Sequence, residues 1–171
     1  MVAVAVAVGV GVEVGVGVAV AVGVVVGVGV GMILGFTGTR KGCTPPQLAA
    51  LRSFLGLYRP GVLLHGGAVG ADAEAHCLGI DAGWRIEVYP AYDNEVWLLG
   101  LMPWGVVYPA RPPLDRNMII AHRSERLVAC PHEAEEQKHG GTWMTVRLAR
   151  RQGRLVTLIL PSGEIKEEHP K

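Results

Sequence analysis

The hydrophobic rhythm of the chain changes at residue 32. Over residues 2–30 every even position is valine, the odd positions are almost all Gly or Ala, and Glu13 is the only charge. Strict period two is the template of a half-buried strand, but this run far exceeds the roughly three to ten residues of ordinary strands. It reads as low complexity. From residue 32 the pattern becomes one of short apolar runs alternating with segments of helical period. Residues 32–36 predict a first strand. Thr44-Pro45-Pro46-Gln47 predicts a helix start, with threonine at the N-cap, proline in the first turn and glutamine completing a capping box. Leu48, Leu51, Leu55 and Tyr58 then recur at helical spacing, and Arg59-Pro60-Gly61 ends the helix.

Residues 62–64 predict a second strand, and the Ala-rich residues 71–82 a helix closed by Gly83 in a left-handed cap. The alternation of residues 85–89 predicts a third strand. Residues 90–113 are rich in proline, carry Trp97 and Trp104, and read as a long loop in which residues 95–102 form at most a short helix. A helix follows through His122, then a fourth strand over residues 126–130 and a polar loop over 131–139. A helix from Gly140 to Gln152, capped by Gly153, precedes a last strand over 155–160. This order predicts an α/β fold: a Rossmann-like, doubly wound, mostly parallel sheet of about five strands with helices on both faces.

Composition sharpens that picture. Half of the 171 residues are hydrophobic, 18% are charged, and the net formal charge is +1, so charge gives no strong pull toward nucleic acid. The expected organisation is a low-complexity tail over 1–31, a domain of about 130 residues over 32–161, and a polar tail over 162–171. For the first segment, a membrane helix is weakened by valine and glycine, and a signal peptide by the missing basic region; a genuine repeat would invite β-aggregation. A gene-start error or a dispensable extension is the expected explanation, with Met32 opening the domain. No membrane association is expected for 32–171. The three cysteines, Cys43, Cys77 and Cys130, are odd in number and lack Cys-x-x-Cys pairing, which fits a reducing cytoplasm.

The candidate chemistry lies in four segments. His65, Gly66, Gly67, Gly70 and Asp72 belong to a glycine turn between a strand and a helix, where close backbone approach and a helix start favour an anion. Thr37, Gly38, Thr39 and Arg40 leave the first strand; Arg116 and Asn117 open a helix; Gly140, Gly141, Thr142 and Thr145 begin the last one. In a doubly wound sheet these loops converge at the carboxyl ends of the strands, where ligands bind. No Gly-Lys-Ser/Thr follows a glycine cluster, so a Walker loop is excluded. Arg40 and Arg116 suit a phosphate, or else form surface ion pairs. Asp72 suits ribose hydroxyls or the helix dipole; His65 lies under a ligand or is structural; Trp143 stacks on a base or packs in the core. Histidine and cysteine spacings fit no metal site, and no cofactor is expected. Arg147, Arg150, Arg151 and Arg154 share a helical face that would track a nucleic-acid backbone or simply be solvated.

The stretches Gly35-Phe36-Thr37-Gly38-Thr39-Arg40, His65 through Asp72, Leu114-Asp115-Arg116-Asn117 and Gly140-Gly141-Thr142-Trp143-Met144-Thr145 resemble the SLOG superfamily. That group includes the LOG-type phosphoribohydrolases, the Rossmann domain of DNA-processing protein A, and nucleotide sensors. The resemblance spans residue 32 to about 161 and implies binding of a nucleotide or nucleotide-derived ligand, as sensor or carrier. It offers two alternatives, N-glycosidic cleavage of a nucleoside 5′-monophosphate and binding of single-stranded DNA. It also implies a homo-oligomer, since relatives often dimerise through helices. The hydrolases use Pro-Gly-Gly-x-Gly-Thr-x-x-Glu; here Thr145 stands where the glutamate would be, and a hydroxyl is no general base near neutral pH. Only Glu133, Glu135 and Glu136 lie near enough in sequence to replace it.

Overall fold

The computed structural model describes residues 31–92 and 105–170. The valine-rich segment before residue 31, the short helix considered over 95–102, Trp97 and Trp104 lie outside the described residues. The elements run β1 (Ile33–Gly38), α1 (Pro45–Leu57), β2 (Val62–His65), α2 (Ala71–Asp81), β3 (Arg85–Val88), β4 (Gly105–Val107), α3 (Pro113–Arg123), β5 (Arg126–Cys130), α4 (Gly141–Arg151), β6 (Leu155–Ile159) and β7 (Ile165–Glu168). They build one sheet of seven strands in the order β4-β3-β2-β1-β5-β6-β7, parallel except for β7.

Alternation along the strands explains why both faces are covered. Leu34, Phe36, Leu63, Ile86, Val88, Val128 and Cys130 pack with Leu51, Phe54 and Leu55 of α1 and Ala71, Ala75 and Leu78 of α2. On the opposite face, Leu64, Leu127, Ala129, Val156 and Leu158 pack with Ile120 and Ala121 of α3 and Trp143, Val146 and Ala149 of α4. Successive residues of one strand thus feed two cores, as a sheet buried on both sides requires. Local signals set the first helix: Thr44 accepts from Gln47 N, and the Gln47 side chain accepts from Thr44 N at 3.0 Å. Gln47 is fully buried, and its Nε2 also donates to Pro131 O and Ile159 O at 2.8 and 2.9 Å, tying α1 to the ends of β5 and β6.

Two strands depart from the five-strand expectation. Part of the proline-rich loop forms β4, which pairs Gly105, Val106 and Val107 with Ile86, Glu87 and Val88. Three residues are too few to show a period. The polar segment after residue 161 supplies β7, held antiparallel to β6. Its burial is slight, and its attachment rests on distant partners: Arg126 reaches Glu167 at 2.7 Å, and Arg150 Nε reaches Glu168 Oε2 at 2.7 Å.

Candidate functional site

The chain walks outward from β1 to β4 and then returns to place β5 on the other side of β1. Strand order therefore reverses between β1 and β5, and a crevice opens beyond their carboxyl ends. A cleft of about 410 Å³ lies there. Its walls are Thr37, Gly38, Thr39, Arg40 and Lys41 after β1, Ala68 and Asp72 near the start of α2, and Pro113, Arg116 and Asn117 of α3. His132, Glu133, His139 and Gly140 of the loop after β5, with Gly141, Thr142 and Trp143 of α4, complete it.

The loop after β1 is a tight turn. Thr39 N donates to Cys130 O at 3.1 Å, and Gly42, at φ +86°, donates to Thr39 O. This fixes the turn against β5 and leaves Arg40 and Lys41 exposed at its tip. A Cβ on Gly38 would collide with the Ala71 side chain, so close contact between β1 and α2 requires glycine there.

The glycine turn from His65 to Asp72 is built differently from the anion cradle its sequence suggests. Asp72 Oδ2 accepts from Gly66 N at 3.1 Å and Ala68 N at 3.2 Å, and His65 Nδ1 accepts from Gly67 N at 3.0 Å. Ala71 N donates to Thr39 O. The N–H groups of Gly66, Gly67, Ala68 and Ala71 are thus engaged within the protein. His65, Gly66, Gly67 and Gly70 stand behind the cleft wall, and only Ala68 and Asp72 of this stretch line it.

Asp72 is buried, and burial pushes its carboxyl up to about 6 against the opposing pull of Arg116, the Ala68 and Gly66 N–H groups and Arg40. Arg116 Nη1 lies 4.0 Å from Asp72 Oδ2 and directly over Gly66, where a Cβ would overlap it. His65 Nε2 and His76 Nδ1 are 2.9 Å apart in the core. The hydrogen-bond network assigns the proton between them to His65 Nε2, because His65 Nδ1 is an acceptor. Burial, then His76 and Arg116, hold His65 down at about 3; burial holds His76 at about 4. Both rings are neutral at ordinary pH, and His65 is a structural group under the turn.

Both α2 and α4 start at a glycine N-cap without a side-chain hydrogen bond, but the first turn of α2 holds Asp72 and Glu74 and its Ala71 N donates to Thr39 O, so the more open start is that of α4. Its N-cap, Gly140 at φ +107°, provides no side-chain cap, and the first turn carries no acid. Gly141, Thr142 and Trp143, whose N–H groups precede the first intrahelical acceptor, line the cleft. Together with Arg40, Lys41 and Arg116 they make this end of the crevice suited to an anion. Thr145 lies one turn deeper, buried, with its hydroxyl donating to Gly141 O at 2.9 Å, and it does not reach the cleft.

The four arginines do not share one helical face: α4 ends at Arg151, which is exposed, Arg154 lies beyond the helix, and Arg147, Arg150 and Arg154 have partners in the protein. Arg147 Nη1 donates to Gln137 O at 2.8 Å and to Glu136 at 3.1 Å, and its Nη2 donates to Lys138 O at 3.0 Å. Arg150 bridges Glu136 and Glu168, and Arg154 donates to His122 O at 2.7 Å. Arg147 and Arg150 thus hold the 131–139 loop that presents His132, Glu133 and His139. Sequence reasoning named Glu133 only as a fallback and did not place Lys41, Ala68, Pro113, His132 or His139 at the cleft. Among the described residues no group of three or more His, Cys, Asp and Glu is placed to hold a metal ion, and no helix is long and apolar enough to cross a membrane.

No protein-family model matches the chain, and no curated protein matches its sequence. Solved structures share its fold. A molybdenum cofactor binding protein from Rippkaea orientalis is similar with a TM-score of 0.55 and 23% identity, over 75% of this chain and 76% of that one. DNA processing protein A from Streptococcus pneumoniae is similar with a TM-score of 0.58 and 21% identity, over 74% of this chain and 50% of that one. The structural-genomics target TM1055 gives 0.51 and 14%, over 73% and 72%. These likenesses define a Rossmann-like α/β fold.

Proposed function

We propose that this chain is a SLOG-type domain whose cleft binds a nucleotide or nucleotide-derived molecule, as sensor or carrier, in the cytoplasm. The observation that carries the reading is the meeting, at the β1–β5 switch point, of the uncapped α4 start with Arg40, Lys41 and Arg116. Phosphate is the commonest biological group that uses both kinds of donor. A volume of about 410 Å³ falls within the roughly 300–1,000 Å³ typical of small-molecule sites. One structural neighbour is described as a cofactor-binding protein, which supports a small-molecule role on this fold.

The hydrolase reading keeps one specific support, Glu133 in the cleft wall beside His132. It is an acid within the site, whereas the Thr145 hydroxyl is occupied by Gly141 O. The single-stranded DNA reading is weakened in the arginine face, because Arg147, Arg150 and Arg154 have intramolecular partners, which leaves Arg151 as its exposed arginine.

The test is a melting-temperature shift of the full chain across a panel of nucleoside mono-, di- and triphosphates, with the same samples assayed for free base. A shift without released base supports a binding module, and released base reinstates the hydrolase. No shift with any nucleotide overturns the proposal.

A further inference from the structure

Cys130, the last residue of β5, is fully buried; Cys43, partly buried, packs against the same apolar cluster from the loop after β1. The backbone brings the two together. Gly38 is in register with Cys130, Thr39 N donates to Cys130 O at 3.1 Å, and Gly42 N donates back to Thr39 O at 3.3 Å. The turn closed in this way returns the chain to the end of β5 at residue 43, where Glu74 Oε2 accepts from Cys43 N at 2.7 Å. The two side chains are hydrogen-bonding neighbours, and that contact, followed by burial, pushes the Cys130 thiol well up. Both are free thiols, as is Cys77, which lies exposed on α2.

We infer that Cys43 and Cys130 are a peroxide-sensitive thiol pair, Cys43 the site of oxidation and Cys130 the resolving thiol, whose disulfide clamps the turn carrying Arg40 and Lys41 to β5. Cys43 reacts first because it is partly accessible, whereas Cys130 is buried and stays protonated. The Cys43 thiolate sulfur attacks one oxygen of hydrogen peroxide and the O–O bond breaks. The departing hydroxide takes up the proton the thiol had lost, leaving a sulfenic acid and water. The Cys130 sulfur then attacks the Cys43 sulfur. An S–S bond forms, the S–O bond breaks, and the hydroxide leaves as water with the Cys130 proton. The thiol pair gives up two electrons in all, and one peroxide is reduced to two waters. The turn is already anchored to Cys130 on its entry side through Thr39 N, and the disulfide anchors its exit side to the same residue. A wall of the cleft is thereby fixed from behind, whatever ligand the cleft takes.

The full chain is fully reduced, exposed to a slight excess of hydrogen peroxide, blocked with an alkylating reagent, digested without reductant and mapped by mass spectrometry. The expected main product is a peptide pair joined through Cys43 and Cys130, which dithiothreitol separates. Cys130→Ala should leave Cys43 as a sulfenic acid that dimedone traps, and Cys43→Ser should leave Cys130 unoxidised. Where Cys130→Ala does not fold, Cys43→Ser, at the partly exposed position, carries the comparison. In the folded oxidised protein, tryptic cutting after Arg40 and Lys41 should be several-fold slower than in the reduced protein. Recovery of Cys43 and Cys130 as separate alkylated peptides, a sulfinic acid at Cys43 without the cross-link, or a linkage through Cys77 in its place overturns the thiol pair. A cross-linked protein cut as fast as the reduced one overturns the clamp. No arm of the test uses a nucleotide, so the cleft reading stands or falls separately.

Discussion

Arg116 rests over Gly66 with its Nη1 4.0 Å from Asp72 Oδ2, so a residue without a side chain sets the position of a cation in the cleft wall. Gly66 is not among the glycines with positive φ, so alanine suits its backbone and fails on contact with the guanidinium, with the Asp72 carboxylate a tight 3.0 Å away. Gly66→Ala is expected to displace Arg116 and cost about 1–3 kcal/mol, the usual range for overpacking. Chemical denaturation measures the stability loss. Nucleotide affinity should fall together with that of Arg116→Ala; a Gly66→Ala protein that binds as wild type does would show that Arg116 is not a ligand group.

The two buried imidazoles predict acid sensitivity. His65 and His76 titrate in the folded protein near 3 and 4, below the ordinary 6.5, so the unfolded chain takes up protons that the folded chain refuses. Their contribution is complete above about 6.5 and is lost as pH falls toward about 4. Asp72 acts in the opposite sense, because a carboxyl raised from 3.8 to about 6 favours the folded state most at low pH and progressively less up to about 6. Two groups oppose one, so the melting temperature should fall on acidification from pH 7 to 5, and should fall more steeply in Asp72→Asn. A melting temperature that rises over that interval would contradict the neutral histidine pair.

Thr145 stands apart from the cleft despite its place in the glycine-threonine motif. Thr145→Val keeps the shape and removes one hydrogen bond to Gly141 O, worth about 0.5–1.5 kcal/mol. Stability should drop by that much with nucleotide affinity unchanged. A tenfold loss of affinity would restore Thr145 to the site.

Arg147 and Arg150 hold a wall of the cleft through Glu136 and the carbonyls of Gln137 and Lys138. The hydrogen bond from Arg150 is the main cause of the lowered Glu136 carboxyl, consistent with a firm ion pair. Replacing both arginines with alanine should raise protease cleavage within residues 131–139 and weaken nucleotide binding several-fold, with little effect on affinity for single-stranded oligonucleotides. Reduced oligonucleotide binding with unchanged nucleotide binding would reverse the assignment.

What the sequence revealed was set by how local each cause is. The start of α1 was legible because Thr44, Pro45 and Gln47 determine it within four positions. The doubly wound order was legible from alternating runs that each feed two cores. By contrast, β7 depends on Arg126 and Arg150, which meet Glu167 and Glu168 only after folding. The same limit hid the His65–His76 pair and the partners of the α4 arginines. It also made the glycine turn misleading: three glycines announce a tight bend, but Asp72 Oδ2, not a ligand, meets Gly66 N and Ala68 N. The open helix start at Gly140 was visible in sequence, while the loop histidines facing it were not.

The antiparallel β7 strand gives the far end of the chain a protective task. It covers the β6 edge with Lys166, Glu167 and Glu168, charged side chains that discourage another molecule from adding its own strand. Clipping the chain before residue 162 would bare that edge, and the damage would show as self-association in light scattering.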